Sequence, residues 1–156
     1  MKNENDLNRR DFIKKTTTAA IVLGFPTIIP ASAFGANDKV QVAVLGVNGR
    51  GKDHIKGFQS QSHAEVACLC DPDKVVLQTR ADEFEKQYGR KVKVQQDLRH
   101  VFDDKSIDAV SIATPNHWHT LAAIWAMQAG KDVYVEKPGT HNLYEGKKLI
   151  EAAKKY

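Results

Sequence analysis

The chain has 156 residues, of which 42% are hydrophobic, and its 23 basic and 19 acidic side chains give a formal net charge of +4. This length and composition predict one compact domain, and they exclude a collagen-like, disulfide-rich or disordered chain. The charges after residue 33 are interspersed and form no basic run with interleaved aromatics, so a nucleic-acid interface is not indicated.

The first 33 residues have the features of an export signal. Arg9 and Arg10 precede an uncharged stretch, Thr16–Asn37, which contains the small-residue sequence Ala31–Ala33. The stretch is too weakly apolar for a membrane-spanning helix, whereas its small residues are typical of a signal-peptidase site. The arginine pair resembles a twin-arginine signal. We therefore expect a cleaved signal and a periplasmic protein; an ordinary secretion signal or an uncleaved membrane anchor is the alternative.

Short apolar runs then alternate with longer amphipathic ones. Strands are predicted at Val40–Leu45, Ala64–Cys70, Val92–Gln95, Asp108–Ala113 and Asp132–Val135. Helices are predicted at Arg50–Gln59, Asp73–Tyr88, Asp97–Phe102, Asn116–Ala129 and Asn142–Lys155. Strands this apolar indicate a parallel sheet covered on both faces. Because crossovers are right-handed, residues 34–156 are predicted to form a doubly wound α/β (Rossmann) domain with strand order 3-2-1-4-5.

Several helix ends carry chemical marks. Pro72 is predicted to occupy the first position of the second helix. Asn142 and Glu145 have the spacing of a capping box, which predicts the start of the last helix. Gly89 and Gly130 follow helices, where a left-handed residue is expected.

The first predicted strand leads directly into a glycine-rich turn, Gly46-Val47-Asn48-Gly49-Arg50-Gly51, and then into a helix. A helix N-terminus offers unpaired N–H groups and a positive dipole end to an anion. Against the dinucleotide pattern G-x-G-x-x-G, Gly46 and Gly51 match and Asn48 takes the middle position, where its tolerance of positive φ would preserve the turn. Gly49 would allow close approach of the phosphate. A pyrophosphate site built from Gly46, Asn48, Gly49, Arg50 and Gly51 is predicted; a purely structural turn is the alternative.

Asp71 ends the second predicted strand, 20 residues beyond Gly51. An acid at this place accepts hydrogen bonds from the adenosine ribose hydroxyls and repels a 2′-phosphate, so NAD is favoured while NADP stays possible. The alternative role of Asp71 is the N-cap of the helix before Pro72. Methyltransferases that bind S-adenosylmethionine use a similar loop and acid, so they are the rival nucleotide interpretation.

The fourth and fifth strands end in segments that border the same crevice as the glycine loop. These segments are Thr114-Pro115-Asn116-His117-Trp118-His119 and Glu136-Lys137-Pro138. They tell against a methyltransferase. With them, the chain from Val40 to Tyr156 closely resembles the superfamily of glucose-fructose oxidoreductase, inositol dehydrogenase and MocA (Gfo/Idh/MocA).

The resemblance implies a place for each residue of the first segment. Thr114, Pro115 and Asn116 match the family loop that lies along the nicotinamide riboside. His119 matches the histidine that follows this loop. All four are therefore expected to contribute to the cofactor site.

The second segment matches the Glu-Lys-Pro motif of the family. The resemblance implies that Glu136 approaches the nicotinamide side, that Lys137 reaches the substrate hydroxyl, and that Pro138 is frequently cis. A cation near a carbinol oxygen stabilises the negative charge that develops there as hydride leaves, so Lys137 is the predicted catalytic residue. A solvated surface lysine is the alternative.

No metal site is predicted. Cys68 and Cys70 lie two apart in an apolar strand, which predicts buried side chains pointing the same way. His117 and His119 could chelate a metal, but no partner ligand is evident. Trp118 is expected to pack or to line a pocket, with a stacking platform as the alternative.

The expected function follows from the resemblance. It implies hydride transfer to or from a sugar or polyol carbon, a homo-oligomer, and a second, substrate-binding domain that is missing here, so the fragment is expected to bind NAD and turn over nothing. Export implies a tightly held cofactor. The alternatives are a non-catalytic nucleotide-binding or sugar-sensing module, and a glycosidase that uses bound NAD for transient oxidation.

Overall fold

The computed structural model describes residues 39–156, which form a five-stranded parallel sheet in the order β3-β2-β1-β4-β5. The strands are β1 Val40–Leu45, β2 Ala64–Cys70, β3 Lys93–Gln95, β4 Ala109–Ile112 and β5 Asp132–Val135. The helices are α1 Gly51–Gln59, α2 Lys74–Tyr88, α3 Leu98–Asp103, α4 His119–Gln128 and α5 Leu143–Lys155. The predicted fold class and strand order are confirmed.

The predicted export signal, residues 1–33, lies outside the described residues. Within residues 39–156, no helix has the length and apolarity needed to cross a membrane.

The central strand β1 is buried on both faces because its side chains alternate between two apolar clusters. Ala43 and Leu45 pack with α3 and α4 residues on one face, whereas Val44 packs with α1 and α2 residues on the other. Burial of each large aliphatic side chain contributes about 1.5–3 kcal/mol, so these two layers hold the strand ends in a fixed order.

Cys68 and Cys70 lie in the cluster that contains Ala43 and Leu45, and both are free, buried thiols, as predicted. Burial raises the pKa of Cys68 to about 11 and shifts that of Cys70 upward as well. Both side chains are therefore protonated at neutral pH and act as small apolar residues.

Most helix ends agree with the sequence, but the start of α2 does not. Asp73 is the N-cap and accepts the amides of Val75 and Val76, so α2 begins at Lys74 and Pro72 lies before the helix. The prediction for Pro72 was wrong because the Asp73 carboxylate satisfies the first helical amides one residue later.

The other marked ends are confirmed. Asn142 Oδ1 accepts the Glu145 amide, and the Glu145 carboxylate returns to the amide of His141. Gly89 and Gly130 have φ angles of +69° and +76°. The predicted helix from Asn116 is divided into a 3₁₀ turn, Asn116–Trp118, and α4.

Candidate cofactor site

The loop between β1 and α1 depends on two glycines that cannot carry a side chain. Gly46 has a φ of +82°, and a Cβ there would lie 2.7 Å from the amide nitrogen of Thr114. A Cβ on Gly51 would lie 1.9 Å from the carbonyl oxygen of Gly46. The first glycine therefore lets the turn pass close to the end of β4, and the second lets α1 pack on the turn.

The other loop residues face outward. Asn48, Gly49 and Arg50 are exposed, and a Cβ on Gly49 would meet no atom within 4 Å. Among the described residues, no backbone or side-chain group accepts the amides of these three. Free amides at a helix N-terminus, beside a glycine with open space above it, fit a pyrophosphate.

The structure does not support a positive φ at Asn48, which the sequence analysis expected to preserve the turn. No non-glycine residue in the described part has a positive φ. Asn48 therefore does not use its tolerance of the left-handed region, because the sharp turn falls on Gly46 instead.

Asp71 is buried at the end of β2 and helps to build the glycine loop. Its Oδ2 accepts the Val47 amide at 2.9 Å, and its Oδ1 accepts the Asp73 amide at 3.0 Å. The alternative role as the helix N-cap is wrong, since Asp73 caps α2. Each carboxylate oxygen can accept more than one hydrogen bond, so Asp71 can still receive ribose hydroxyls.

Arg80 on α2 is a second support of the loop that the sequence did not reveal. Its Nε donates to the Val47 carbonyl at 3.1 Å, and its guanidinium pairs with Glu83. Val47 is thus held at both backbone polar atoms. An arginine on a helix is ordinarily interpreted as exposed, so nothing in the pattern marked this one as buried.

His119 joins the ends of β4 and β5. The ring is buried, with Nδ1 2.8 Å from the Pro138 carbonyl oxygen and Nε2 2.7 Å from that of Thr114. Carbonyl oxygens only accept, so each of these contacts is a hydrogen bond only where its ring nitrogen carries a proton. The ring lies between the two strand ends and bridges the two sides of the crevice.

The same contacts exclude chelation by a histidine pair. His117 is exposed, while the buried His119 has no ring nitrogen left for a metal. Residues 39–156 contain no group of three or more side chains able to hold a metal ion. Trp118 is 41% exposed, so it lies at the surface and not in the core.

Glu136 follows β5 and accepts three hydrogen bonds. The donors are His54 Nε2 at 2.9 Å, Arg50 Nε at 3.0 Å and the Lys137 amide at 3.1 Å. These bonds, the one from His54 being the strongest influence, lower the pKa of Glu136 to about 2. Glu136 is therefore an anion that links the glycine loop to the Glu-Lys-Pro segment.

His54 was also missed in the sequence. It is a buried residue of α1, and its Nδ1 is 2.7 Å from the Ser111 hydroxyl of β4. The ring of Tyr134 approaches it edge-on at a centroid distance of 5.5 Å. Its one sequence signal is its position a turn after Gly51, which is too common a feature to indicate a function.

The residues expected to face the nicotinamide end lie beside these groups. Lys137 is exposed, and its ammonium has no hydrogen-bond or ion-pair partner within the described part of the chain. The Lys137–Pro138 peptide bond is cis, as the resemblance implied. Thr114 Oγ1 is buried without a partner in residues 39–156, while Pro115 is exposed and Asn116 half-buried.

Together, the predicted residues of the glycine loop, Asp71 and the two later segments lie at the carboxyl ends of adjacent parallel strands. Direct contacts connect them, because Gly46 abuts Thr114 and Arg50 bonds Glu136. An edge of this kind in a doubly wound sheet is where dinucleotides bind.

Comparison with known proteins agrees with this geometry. Residues 40–156 match the Gfo/Idh/MocA family model, described as an oxidoreductase family with an NAD-binding Rossmann fold. A scyllo-inositol 2-dehydrogenase (NAD(+)) of Bacillus subtilis is 37% identical over 74% of this chain and 33% of its own length. A glycosyl hydrolase family 109 protein of Solibacter usitatus is 28% identical over 94% of this chain and 36% of its own length.

A solved structure is also similar. The WlbA dehydrogenase from Bordetella pertussis, in complex with NADH and UDP-GlcNAcA, has a TM-score of 0.66 and 28% identity, covering 75% of this chain and 34% of that one. The chain spans about a third of the length of the curated relatives it matches. It belongs to the Gfo/Idh/MocA oxidoreductase family, of which it comprises the NAD-binding Rossmann domain.

Proposed function

We propose that this chain is the cofactor-binding part of an exported enzyme that transfers a hydride to or from a carbon of a sugar or polyol. The observation that carries the proposal is the contact between Arg50 of the glycine loop and Glu136, the residue before Lys137. It connects a loop suited to pyrophosphate with a lysine suited to a substrate hydroxyl.

Residues at the ends of successive strands would each bind a different part of the dinucleotide. Amides of Asn48, Gly49 and Arg50 would hold the pyrophosphate, Asp71 the adenosine ribose, and the Thr114–Asn116 segment the nicotinamide riboside. A bound nicotinamide supplies the hydride acceptor or donor. NAD is preferred to NADP in this proposal because the Asp71 carboxylate repels a 2′-phosphate.

Lys137 is proposed as the catalytic residue. Its ammonium would lie near the hydroxyl oxygen of the substrate and stabilise the negative charge that develops as the C–H bond breaks. The Glu136 carboxylate fixes the backbone of Lys137 through the amide hydrogen bond, and His119 holds the neighbouring Pro138 carbonyl. These contacts would orient the lysine before substrate arrives, which is favourable for catalysis.

Glycoside cleavage is a second candidate reaction. It is favoured by the relatives named glycosyl hydrolase family 109, which include proteins from Solibacter and several Shewanella strains. Transient oxidation during cleavage would leave the cofactor unchanged after each cycle. Such a cycle suits a compartment that has no free nicotinamide pool.

Export to the periplasm by the twin-arginine route is part of the proposal. The alignment with the Solibacter relative covers 94% of this chain, so it extends into residues 1–33. Fusing residues 1–33 to a reporter tests the route: replacement of Arg9 and Arg10 by lysine should retain the reporter in the cytoplasm. Unchanged export of the double variant would indicate an ordinary secretion signal.

Binding of the cofactor is tested by titrating the chain with NAD and NADP while monitoring tryptophan fluorescence, since Trp118 lies in the segment after β4. We expect saturable binding of NAD and weaker binding of NADP. No turnover is expected from residues 34–156, because the relatives are about three times as long. Absence of NAD binding would contradict the proposal.

The reaction class is tested on the full-length gene product purified without added cofactor. Reduction of added NAD by inositols or sugars would support the dehydrogenase, whereas hydrolysis of chromogenic glycosides with no net NADH would support the glycosidase. Cofactor binding without either reaction would indicate a sensing module. The same preparation, analysed by gel filtration, tests the expected homo-oligomer.

A further inference from the structure

A line of hydrogen bonds runs through the buried ring of His54. It passes from the Ser111 hydroxyl to His54 Nδ1 at 2.7 Å, from Nε2 to Glu136 at 2.9 Å, and from the other Glu136 oxygen to the Lys137 amide at 3.1 Å. The line joins the core of the sheet to the residue that the proposed function makes catalytic.

The direction of these bonds follows from the charge of Glu136. An ionised carboxylate can only accept, and its low pKa keeps it ionised, so His54 Nε2 must carry a proton. In the neutral ring, Nδ1 then accepts the Ser111 hydroxyl. The edge of the Tyr134 ring also faces the His54 ring, and the Arg50 guanidinium bonds the same Glu136 oxygen as His54.

Arg50 is the other side chain that holds Glu136, but its setting differs from that of His54. The Arg50 side chain is 62% exposed and shares its guanidinium between Glu136 and Asp53, whereas the His54 side chain is 6% exposed. A solvent-facing arginine beside a pyrophosphate loop can turn toward phosphate oxygens at small cost. The buried histidine cannot leave Glu136 in this way.

We propose that His54 is a positioning residue that fixes Lys137 through Glu136, so that Arg50 can turn to the pyrophosphate without releasing the lysine. The inference rests on the proposed function, because it gives Lys137 its catalytic role. It assigns separate tasks to the two partners of Glu136: Arg50 serves cofactor affinity, and His54 serves the order of the Glu-Lys-Pro segment.

Two substitutions separate the two sides of the ring. His54→Gln places an N–H near the position of Nε2 and keeps a donor for Glu136, whereas His54→Asn reaches only as far as Ser111. His63→Asn makes the same change at an exposed histidine before β2 and serves as the control.

The first readout needs no enzyme activity. In the ¹⁵N-labelled 156-residue chain, we expect His54→Asn to move the Lys137 amide proton upfield and to speed its exchange with solvent about tenfold or more. His54→Gln should retain most of the wild-type shift and protection, and His63→Asn all of it. An unchanged Lys137 amide in His54→Asn would overturn the proposal.

The second readout compares the two partners of Glu136. Arg50→Ala should weaken NAD binding about tenfold or more, as expected for a lost charge-assisted bond, while the Lys137 amide keeps its protection. His54→Asn should show the reverse pattern. Equal loss of Lys137 protection in both variants would contradict the division of tasks. If NAD binds neither to the wild type nor to any variant, the proposed function fails, and the amide data still decide the positioning role.

A measurement on the unaltered chain covers the case in which His54→Asn does not fold. The ring ¹⁵N shifts of His54 report which nitrogen carries the proton at neutral pH. Protonation at Nε2 supports the proposal. A neutral ring protonated at Nδ1 alone would overturn it, because Nε2 could not then donate to Glu136.

Discussion

The Val47 amide donates to Asp71 Oδ2 over 2.9 Å, across a sequence separation of 24 residues. The acid at the end of β2 is therefore a structural part of the glycine loop as well as the predicted partner of the ribose. Its second oxygen takes the Asp73 amide, so the carboxylate is fixed on both sides. The loop conformation and the proposed selection of the cofactor therefore depend on the same side chain.

Replacing Asp71 by Asn should therefore damage the loop and also weaken the preference for NAD over NADP, because the uncharged amide no longer repels a 2′-phosphate. The Asn amide has one carbonyl oxygen, so either the Val47 or the Asp73 N–H loses its acceptor. A buried unpaired N–H costs about 1–3 kcal/mol. We expect that loss in urea unfolding, weaker NAD binding, and a smaller difference between the affinities for NAD and NADP.

Asp73→Asn is the matched control, two residues away. Asn caps helices about as well as Asp, so the free energy of unfolding should change by less than about 0.5 kcal/mol and NAD binding should stay the same. An Asp71→Asn variant that kept full stability would show that Asp71 acts on the ribose and does not hold the loop.

The glycines of α1 and its preceding loop give a graded series. A Cβ on Gly51 would collide with the Gly46 carbonyl, so Gly51→Ala should lower the free energy of unfolding by about 1–3 kcal/mol. Gly49 faces open space, so Gly49→Ala should leave stability nearly unchanged and weaken only NAD binding. Thermal unfolding and NAD titration of both variants test this separation.

Gly57 provides the control because it lies inside α1 with nothing within 4 Å of its Cβ position. Gly57→Ala should raise stability by about 0.5–1 kcal/mol through the higher helix propensity of alanine and should not alter NAD binding. Loss of stability in Gly49→Ala comparable to that in Gly51→Ala would contradict the description of the loop.

The features that the sequence predicted correctly depend on neighbouring residues or on the right-handed connection between parallel strands. The strand order came from right-handed crossovers, and the loop from the spacing of Gly46 and Gly51. Helix ends were correct to about one residue except at Asn116, where a 3₁₀ turn precedes α4. The error at Pro72 arose because Asp73 competed as a cap one residue later. The sequence pattern was therefore sufficient to predict an element wherever residues close in the chain determine its structure.

The contacts that sequence analysis missed are all between distant elements. His54 meets Ser111 and Glu136 across 57 and 82 residues, and Arg80 meets Val47 across 33. A polar residue on a helix has the same local pattern whether it is solvated or reaches a buried acceptor. These positions became recognisable only when packing placed α1 and α2 against the sheet.

Glu136 should make stability depend on pH in the acid range. Its pKa is lowered from 4.5 to about 2, first by His54 and then by Arg50. A depressed carboxyl pKa stabilises the fold above about pH 4.5, and this contribution is lost as pH falls toward 2. The stability advantage of the wild type over Glu136→Gln should therefore shrink between pH 6 and pH 2.

Urea unfolding at a series of pH values measures this difference. Glu85→Gln, at an exposed position of α2, removes a carboxyl that has no hydrogen-bond partner among residues 39–156 and serves as the control. A difference between wild type and Glu136→Gln that stayed constant from pH 6 to pH 2 would show that the three donors do not hold an ionised Glu136.

A substitution of Thr114 tests the proposed nicotinamide end of the site, because it should raise the stability of the fold and weaken NAD binding. Its Oγ1 is buried and has no hydrogen-bond partner in the described part of the chain. Valine has nearly the same shape without the hydroxyl, so Thr114→Val should raise the free energy of unfolding by up to about 1 kcal/mol. If the hydroxyl forms a hydrogen bond with the bound cofactor, the same variant should bind NAD several-fold more weakly.

Thr120→Val is the contrasting control. Thr120 Oγ1 already donates to Glu145 at 3.2 Å, so its loss should destabilise the fold by about 1 kcal/mol and leave NAD binding unchanged. A stabilised Thr114→Val that bound NAD as tightly as the wild type would mean that this hydroxyl has no part in the cofactor site.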